Sequence, residues 1–273
     1  MHYGINVVTL GDYANPQLVV PLAQAAEVAG WEGIFVWDHL AFTWGVPSGD
    51  PWVILAAVAQ ATTHLKLGTA ITPLPRRRPH VLANTIATLD QLSAGRCIFG
   101  AGLGGVPQEF AAFGDEDDPR TRGQQLDEGL DLLNELWSGK QINHKGAHYT
   151  VDNVTLAPLP VQSPRVPIWI GGESPPALRR AARWDGWVIG GDNEQAEMIK
   201  TPEEIAENVV YIQQHRTTTV PFAVAVSGVS SPSDHVLVND FGAAGVTWWL
   251  ESLHGFRGTA DELQARIMAG PPL

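Results

Sequence analysis

Short, nearly continuous apolar runs alternate with amphipathic stretches along the whole chain. Leu67 to Thr72 and Cys97 to Ala101 are two such runs; between them Val81, Leu82, Ile86, Leu89 and Leu92 recur at helical spacing until Ser93-Ala94-Gly95 stops the pattern. Unbroken apolar runs suit parallel strands covered on both faces, so Leu65 to Gly104 reads as a βαβ unit. The same pattern predicts strands near Tyr3 to Val8, Gly33 to Trp37, Leu65 to Thr72, Arg96 to Ala101, Pro167 to Ile170, Gly186 to Ile189, Val220 to Val226 and Gly245 to Leu250. Helices are expected over Pro16 to Ala29, Pro51 to Ala61, Val81 to Leu92, Arg120 to Trp137, Pro176 to Arg183, Pro202 to Gln214, Asp234 to Phe241 and Ala260 to Met268. Asn15, Asp50, Ser174 and Thr201 each precede a proline and mark helix starts. Eight βα units without a dividing linker predict the α/β class, as a single (β/α)₈ TIM barrel domain over residues 1–273. Only Gly139 to Arg165 breaks the alternation. Its two short pieces, His148 to Val151 and Val154 to Ala157, predict a β-hairpin insertion.

Composition narrows the function classes. The 17 basic and 29 acidic residues, a net charge of -12, argue against nucleic acid or an anionic membrane surface as partner. The one cysteine, Cys97, lies in an apolar strand, where packing explains it better than reactivity. The first residues lack a basic segment followed by a long apolar core, and no run is long enough to span a membrane, so a cytoplasmic location is expected.

In a barrel of this kind the chemistry gathers at the carboxyl ends of the strands. The second strand delivers Asp38 and His39 side by side. An imidazole can act as acid or base near neutral pH, and an adjoining carboxylate can fix its tautomer; the same pair could equally brace a loop. The third strand runs into Arg76, Arg77 and Arg78, a local reversal of charge that suits an anionic cofactor or substrate, or that simply answers an acidic surface. After the fifth strand come Gly171, Gly172 and Ser174, where backbone amides could meet an anion. The glycine alternation around Gly102 leaves room for a flat ring. Ten tryptophans are many for this length, and Trp44, just past Asp38-His39, is the one expected to wall a substrate pocket.

Together GIFVWDH, LGTAITPLPRRRPHVLA, ATLDQLSAGRCIFGAGLG, PIWIGG and RRAARWDGW resemble the luciferase-like monooxygenase family, barrel enzymes that bind FMN or the deazaflavin coenzyme F420. The resemblance runs from Tyr3 to about Trp249. It implies a barrel of the bacterial luciferase-like type, a non-proline cis peptide at Ala70-Ile71, and a cofactor ring backed by Ala70, Ile71 and Thr72 near Gly102. It further implies His39 at the reactive centre, Asp38 steadying its loop, and Gly171, Gly172 and the Ser174 amide on the cofactor phosphate. Asp-His at the second strand end resembles the members that use coenzyme F420 more than those that use FMN. The implied activity is hydride transfer between F420 and a small organic substrate, by a homodimer. The alternatives are an FMN-dependent monooxygenase and a non-catalytic flavin-binding barrel. A metal-dependent hydrolase using Asp38, His39, His80 or His144 lacks the expected His-x-His after the first strand, and no metal is predicted. The segment after the seventh strand, Ser227 to Ser233, is shorter than the insertion usual in the family.

Overall fold

Buried apolar strands leave no edge when a sheet closes on itself, and that is the solution this chain adopts. The computed structural model describes residues 1–273. In chain order the strands are β1 (His2–Val7), β2 (Gly33–Val36), β3 (Lys66–Thr69), β4 (Thr72–Pro73), β5 (Cys97–Gly102), β6 (Ile142–Lys145), β7 (Thr150–Val154), β8 (Ile168–Gly171), β9 (Gly186–Gly190), β10 (Ala223–Gly228) and β11 (Trp248–Leu253). The helices are α1 (Pro16–Val28), α2 (Pro51–Ala61), α3 (Pro79–Leu92), α4 (Gln108–Ala111), α5 (Pro119–Leu136), α6 (Pro175–Ala181), α7 (Pro202–His215), α8 (His235–Ala243) and α9 (Ala260–Met268). Parallel pairing runs β3-β2-β1-β11-β10-β9-β8-β5-β4, and β3 also pairs with β5, which shuts the ring. With β3 and β4 counted as one broken strand, the result is the eight-stranded parallel barrel that the βα alternation predicts.

The break in the third strand lies at Ala70-Ile71, whose peptide bond is cis, as the family resemblance implies. Several strand ends shift from their predicted bounds. The seventh and eighth strands start at Ala223 and Trp248 rather than Val220 and Gly245, because the apolar run alone does not say where pairing begins. The hairpin is present, but it pairs Ile142–Lys145 with Thr150–Val154, so the predicted pieces His148 to Val151 and Val154 to Ala157 are corrected. Hydrogen bonding explains the choice: Glu128 of α5 accepts the amides of His148 and Tyr149, which seats the turn rather than a strand there. Capping follows expectation at Asn15, Asp50 and Thr201, whereas the Ser174 side chain makes no capping bond.

Alternation along the strands sorts two cores. Odd residues of β1 and β11, such as Ile5, Val7 and Trp249, face the helices. Phe35, Ile98, Trp169, Val188, Trp248 and Leu250 fill the barrel itself. Phe35 stacks on Trp169 at 5.2 Å, and Trp248 meets both rings edge-on. Gly33 and Gly186 make room for these indoles, since a Cβ would sit 3.1 Å from Trp248 and 2.5 Å from Trp169. Large rings therefore plug the amino-terminal half of the barrel, and the carboxyl-terminal mouth is left to smaller and polar residues. Cys97 is packed between α3 and the sheet, and burial pushes its thiol up to about 12, which keeps it protonated and inert.

Candidate active site

His39 stands at the tip of β2 with its side chain about a quarter exposed. Its Nδ1 donates to Oε1 of Glu109 at 2.6 Å. Glu109 comes from α4 and is buried; burial alone would raise its pKa, but the hydrogen bond from His39 and the charges of His39 and Arg76 outweigh it and hold the carboxyl below its ordinary range. An ionised carboxylate only accepts, so Nδ1 keeps its hydrogen and Nε2 is the nitrogen left for chemistry. Arg76 completes the chain. One Nη contacts Glu109 Oε2, and the other donates to Asp38 Oδ1 at 2.7 Å and to the Asp38 carbonyl at 2.8 Å.

This arrangement bears on two expectations. Of the two readings left open for Asp38 its contacts are those of a loop brace, with Oδ1 accepting from Arg76 and from Arg77 at 2.8 Å, and it is Glu109 that orients the imidazole. The arginine cluster is also largely committed. Arg76 is almost wholly buried, Arg77 divides between Asp38 and Asp50, and Arg78 lines a small outer groove with Trp52 and Val81.

Glu109 is carried to His39 by its neighbour. Phe110 is fully buried, the Arg122 guanidinium lies 4.3 Å over its ring, and Arg122 donates to the carbonyls of Leu103 and Gly104. Nothing in the local pattern of VPQEF marks that carboxylate; only a buried aromatic beside an acid hints at it. Trp37 and Trp44 approach the imidazole at 5.3 Å and 6.1 Å, which places Trp44 next to His39. His80 is exposed on α3, and His144 is bound to Glu128 and Glu135 in the hairpin, far from His39 in the fold.

Also at the carboxyl-terminal mouth is a cleft of about 650 Å³ that brings together Ile71, Gly102, Gly171, Gly172 and Ser174, five of the sequence-predicted cofactor residues. Ala70 and Thr72 flank Ile71 in the broken strand. Gly172 adopts φ +101°, a conformation side chains disfavour, and its carbonyl accepts from Trp187 Nε1 at 2.7 Å. Pro175 and Pro176 lack N–H groups, which reduces the donors at the start of α6. The positive charge comes instead from residues the sequence reading missed, Arg120 and Arg180. Arg180 is held by Asp127 through two bonds of 2.7 and 2.9 Å. A glycine floor, a backbone bulge and the unpaired Arg120, with Arg180 held against Asp127 beside it, fit a flat heterocycle with an anionic tail.

A parallel barrel with an oriented imidazole and a glycine-floored cleft at its mouth defines a cofactor-dependent TIM barrel of the flavin type. The profile of the luciferase-like monooxygenases matches residues 4–267, and the chain belongs to that family. An F420-dependent hydroxymycolic acid dehydrogenase of Mycobacterium tuberculosis is 33% identical over 68% of this chain and 52% of its own. An F420-dependent glucose-6-phosphate dehydrogenase of Nakamurella multipartita is 34% identical over 64% of this chain and, again, 52% of its own. The chain thus spans about half the length of these relatives. The crystal structure of the monooxygenase RslO1 from Streptomyces bottropensis shares the fold, with a TM-score of 0.81 at 20% identity over 98% of both chains. No helix is long and apolar enough to cross a membrane.

Proposed function

We propose that this protein is an oxidoreductase that moves a hydride between coenzyme F420 and a small organic substrate, with His39 handling the proton. The observation that supports this reading is the chain from Arg76 through Glu109 to His39, which ends on an Nε2 without a hydrogen-bond partner at the same carboxyl-terminal mouth that holds the cleft. Gly102, Gly171 and Ile71 would lie against the cofactor ring, and Gly172, Ser174, Arg120 and Arg180 would receive its phosphate and acidic tail. The bound deazaflavin supplies or accepts the hydride, while the protein supplies orientation and electrostatics. With Nδ1 tied to Glu109, Nε2 gives a proton to the substrate oxygen in reduction or removes one in oxidation. Trp37 and Trp44 pack near the imidazole ring. Support for F420 over FMN comes from the Asp38-His39 pair and from the two F420-dependent relatives at 33% and 34% identity.

Titration of the protein with F420 and with FMN at two salt concentrations tests the reading. F420 is expected to bind more tightly and to lose more affinity in salt, because its tail carries more charge. Tighter binding of FMN overturns the choice of cofactor. Binding of neither overturns the site.

A further inference from the structure

The half of the mouth contributed by β9, β10, β11 and β1 carries polar groups that neither the His39 chain nor the cofactor cleft uses. Along β11, Trp248 and Leu250 face the barrel interior, and the period of two brings Ser252 and then His254 above them on the same side. On β9 the same parity runs from Val188 through Gly190 to Asp192. His254 is 7% exposed, and neither ring nitrogen has a hydrogen-bond partner. Asp192 Oδ2 lies 3.7 Å from Nε2, close enough to bias the ring but too far for a bond. Below them Asn6 donates to Ser227 Oγ at 3.0 Å and leaves its own buried Oδ1 without a donor. Buried polar groups are nearly always satisfied, so unpaired ones gathered at the mouth of a ligand site mark where a ligand's polar atoms go.

The cations of this half are already engaged. Lys200 pairs with Glu173 at 2.6 Å, and Arg257 and Arg266 pair with Glu251 at 2.5 and 3.2 Å. Around the rim the βα loops expose Phe42, Trp44, Phe113, Ile199 and Phe256, the last of them 80% exposed. We infer that His254, positioned by Asp192, anchors a neutral oxygen function of the substrate, and that the substrate is an uncharged, largely apolar alcohol or ketone rather than a phosphorylated or carboxylated one. A free anion would meet Asp192 and no unpaired cation. This inference rests on the oxidoreductase reading of the same mouth.

Tryptophan fluorescence of the protein without cofactor, followed on titration with 2-octanone, octanoate and glucose 6-phosphate, tests it. The ketone is expected to bind at least tenfold more tightly than either anion. The substitution His254→Ala should weaken ketone binding about tenfold, the worth of one hydrogen bond, and His254→Gln should recover part of the loss. F420 affinity should be unchanged in both variants. Equal binding of octanoate, or ketone affinity indifferent to both substitutions, overturns the inference, as does an equal loss of F420 affinity. Should Phe256→Ser change the oligomeric state and leave ketone affinity intact, the apolar rim is a contact between copies and the substrate assignment fails. Failure of F420 to bind the unaltered protein while the ketone still binds would count against the cofactor reading alone.

Discussion

His39 Nδ1 and Glu109 Oε1 meet at 2.6 Å although 70 residues separate them in the chain. The contact joins the loops after β2 and β5, which are separated around the ring by the broken third strand. Replacing His39 with alanine should slow turnover about 10²- to 10⁴-fold if proton transfer shares in the slow step. Glu109→Gln keeps the shape but lets Nδ1 lose its hydrogen, and should cost about 10²-fold with little change in the far-ultraviolet circular dichroism. Steady-state rates of both variants, compared at saturating F420, check this. Full activity in the glutamine variant would remove the orienting role.

Arg76 bridges two carboxylates that are each 1% exposed. Removing it in Arg76→Ala leaves Asp38 only Arg77 and Glu109 only His39, and the expected loss is about 3 kcal/mol in urea unfolding. Arg76→Lys should recover little, because one ammonium cannot reach Asp38 and Glu109 with the geometry of a guanidinium fork. The same reasoning applies to Glu251, which is fully buried and accepts from Ser230, Arg257 and Arg266.

Two glycines of β5 separate binding from stability. A Cβ at Gly102 would sit 2.7 Å from Cδ1 of Ile71, the movable end of a side chain that lines the cleft. Gly102→Ala should therefore fold normally, push Ile71 toward the cofactor site and weaken F420 about tenfold or more by fluorescence titration. At Gly100 the Cβ would meet the carbonyl oxygen of Thr69 at 1.8 Å, which cannot move without breaking the sheet. Gly100→Ala should destabilise the protein by about 3 kcal/mol or more.

Acid should unfold the protein through a small set of glutamates. At Glu27, Glu109 and Glu128 burial pushes the pKa up, and donors more than reverse it: the amides of His64, Thr63 and Leu65, the His39–Arg76 pair, and the amides of His148 and Tyr149 respectively. A carboxyl whose folded pKa lies below its unfolded one stabilises the fold above the unfolded value and loses that contribution as pH falls through the folded one. Urea midpoints should stay level from about pH 7 to about pH 5 and drop below about pH 4.5. A midpoint that instead rose on acidification would contradict these directions.

Much of the fold was legible because it depends on local pattern. Continuous apolar runs and capped helices specify strand and helix one element at a time, and eight alternations leave the closed parallel barrel as the economical way to bury them. That Ile71 and the glycines at 102, 171 and 172 share one cleft, and that Trp44 lies near His39, was legible because strand ends in such a barrel converge, so a position along the chain already implies a position at the mouth.

The sequence by itself determined the barrel, the βα order and the residues delivered to the carboxyl ends of the strands, since periodicity and punctuation are properties of short segments. Tertiary structure alone decided which of those residues touch. It sent Asp38 to Arg76 and Arg77, gave His39 to Glu109, placed Arg120 and Arg180 at the cleft, and set His254 beside Asp192. Pairing of charges depends on distances across the closed ring and on which atoms lose their water, and no local pattern encodes either.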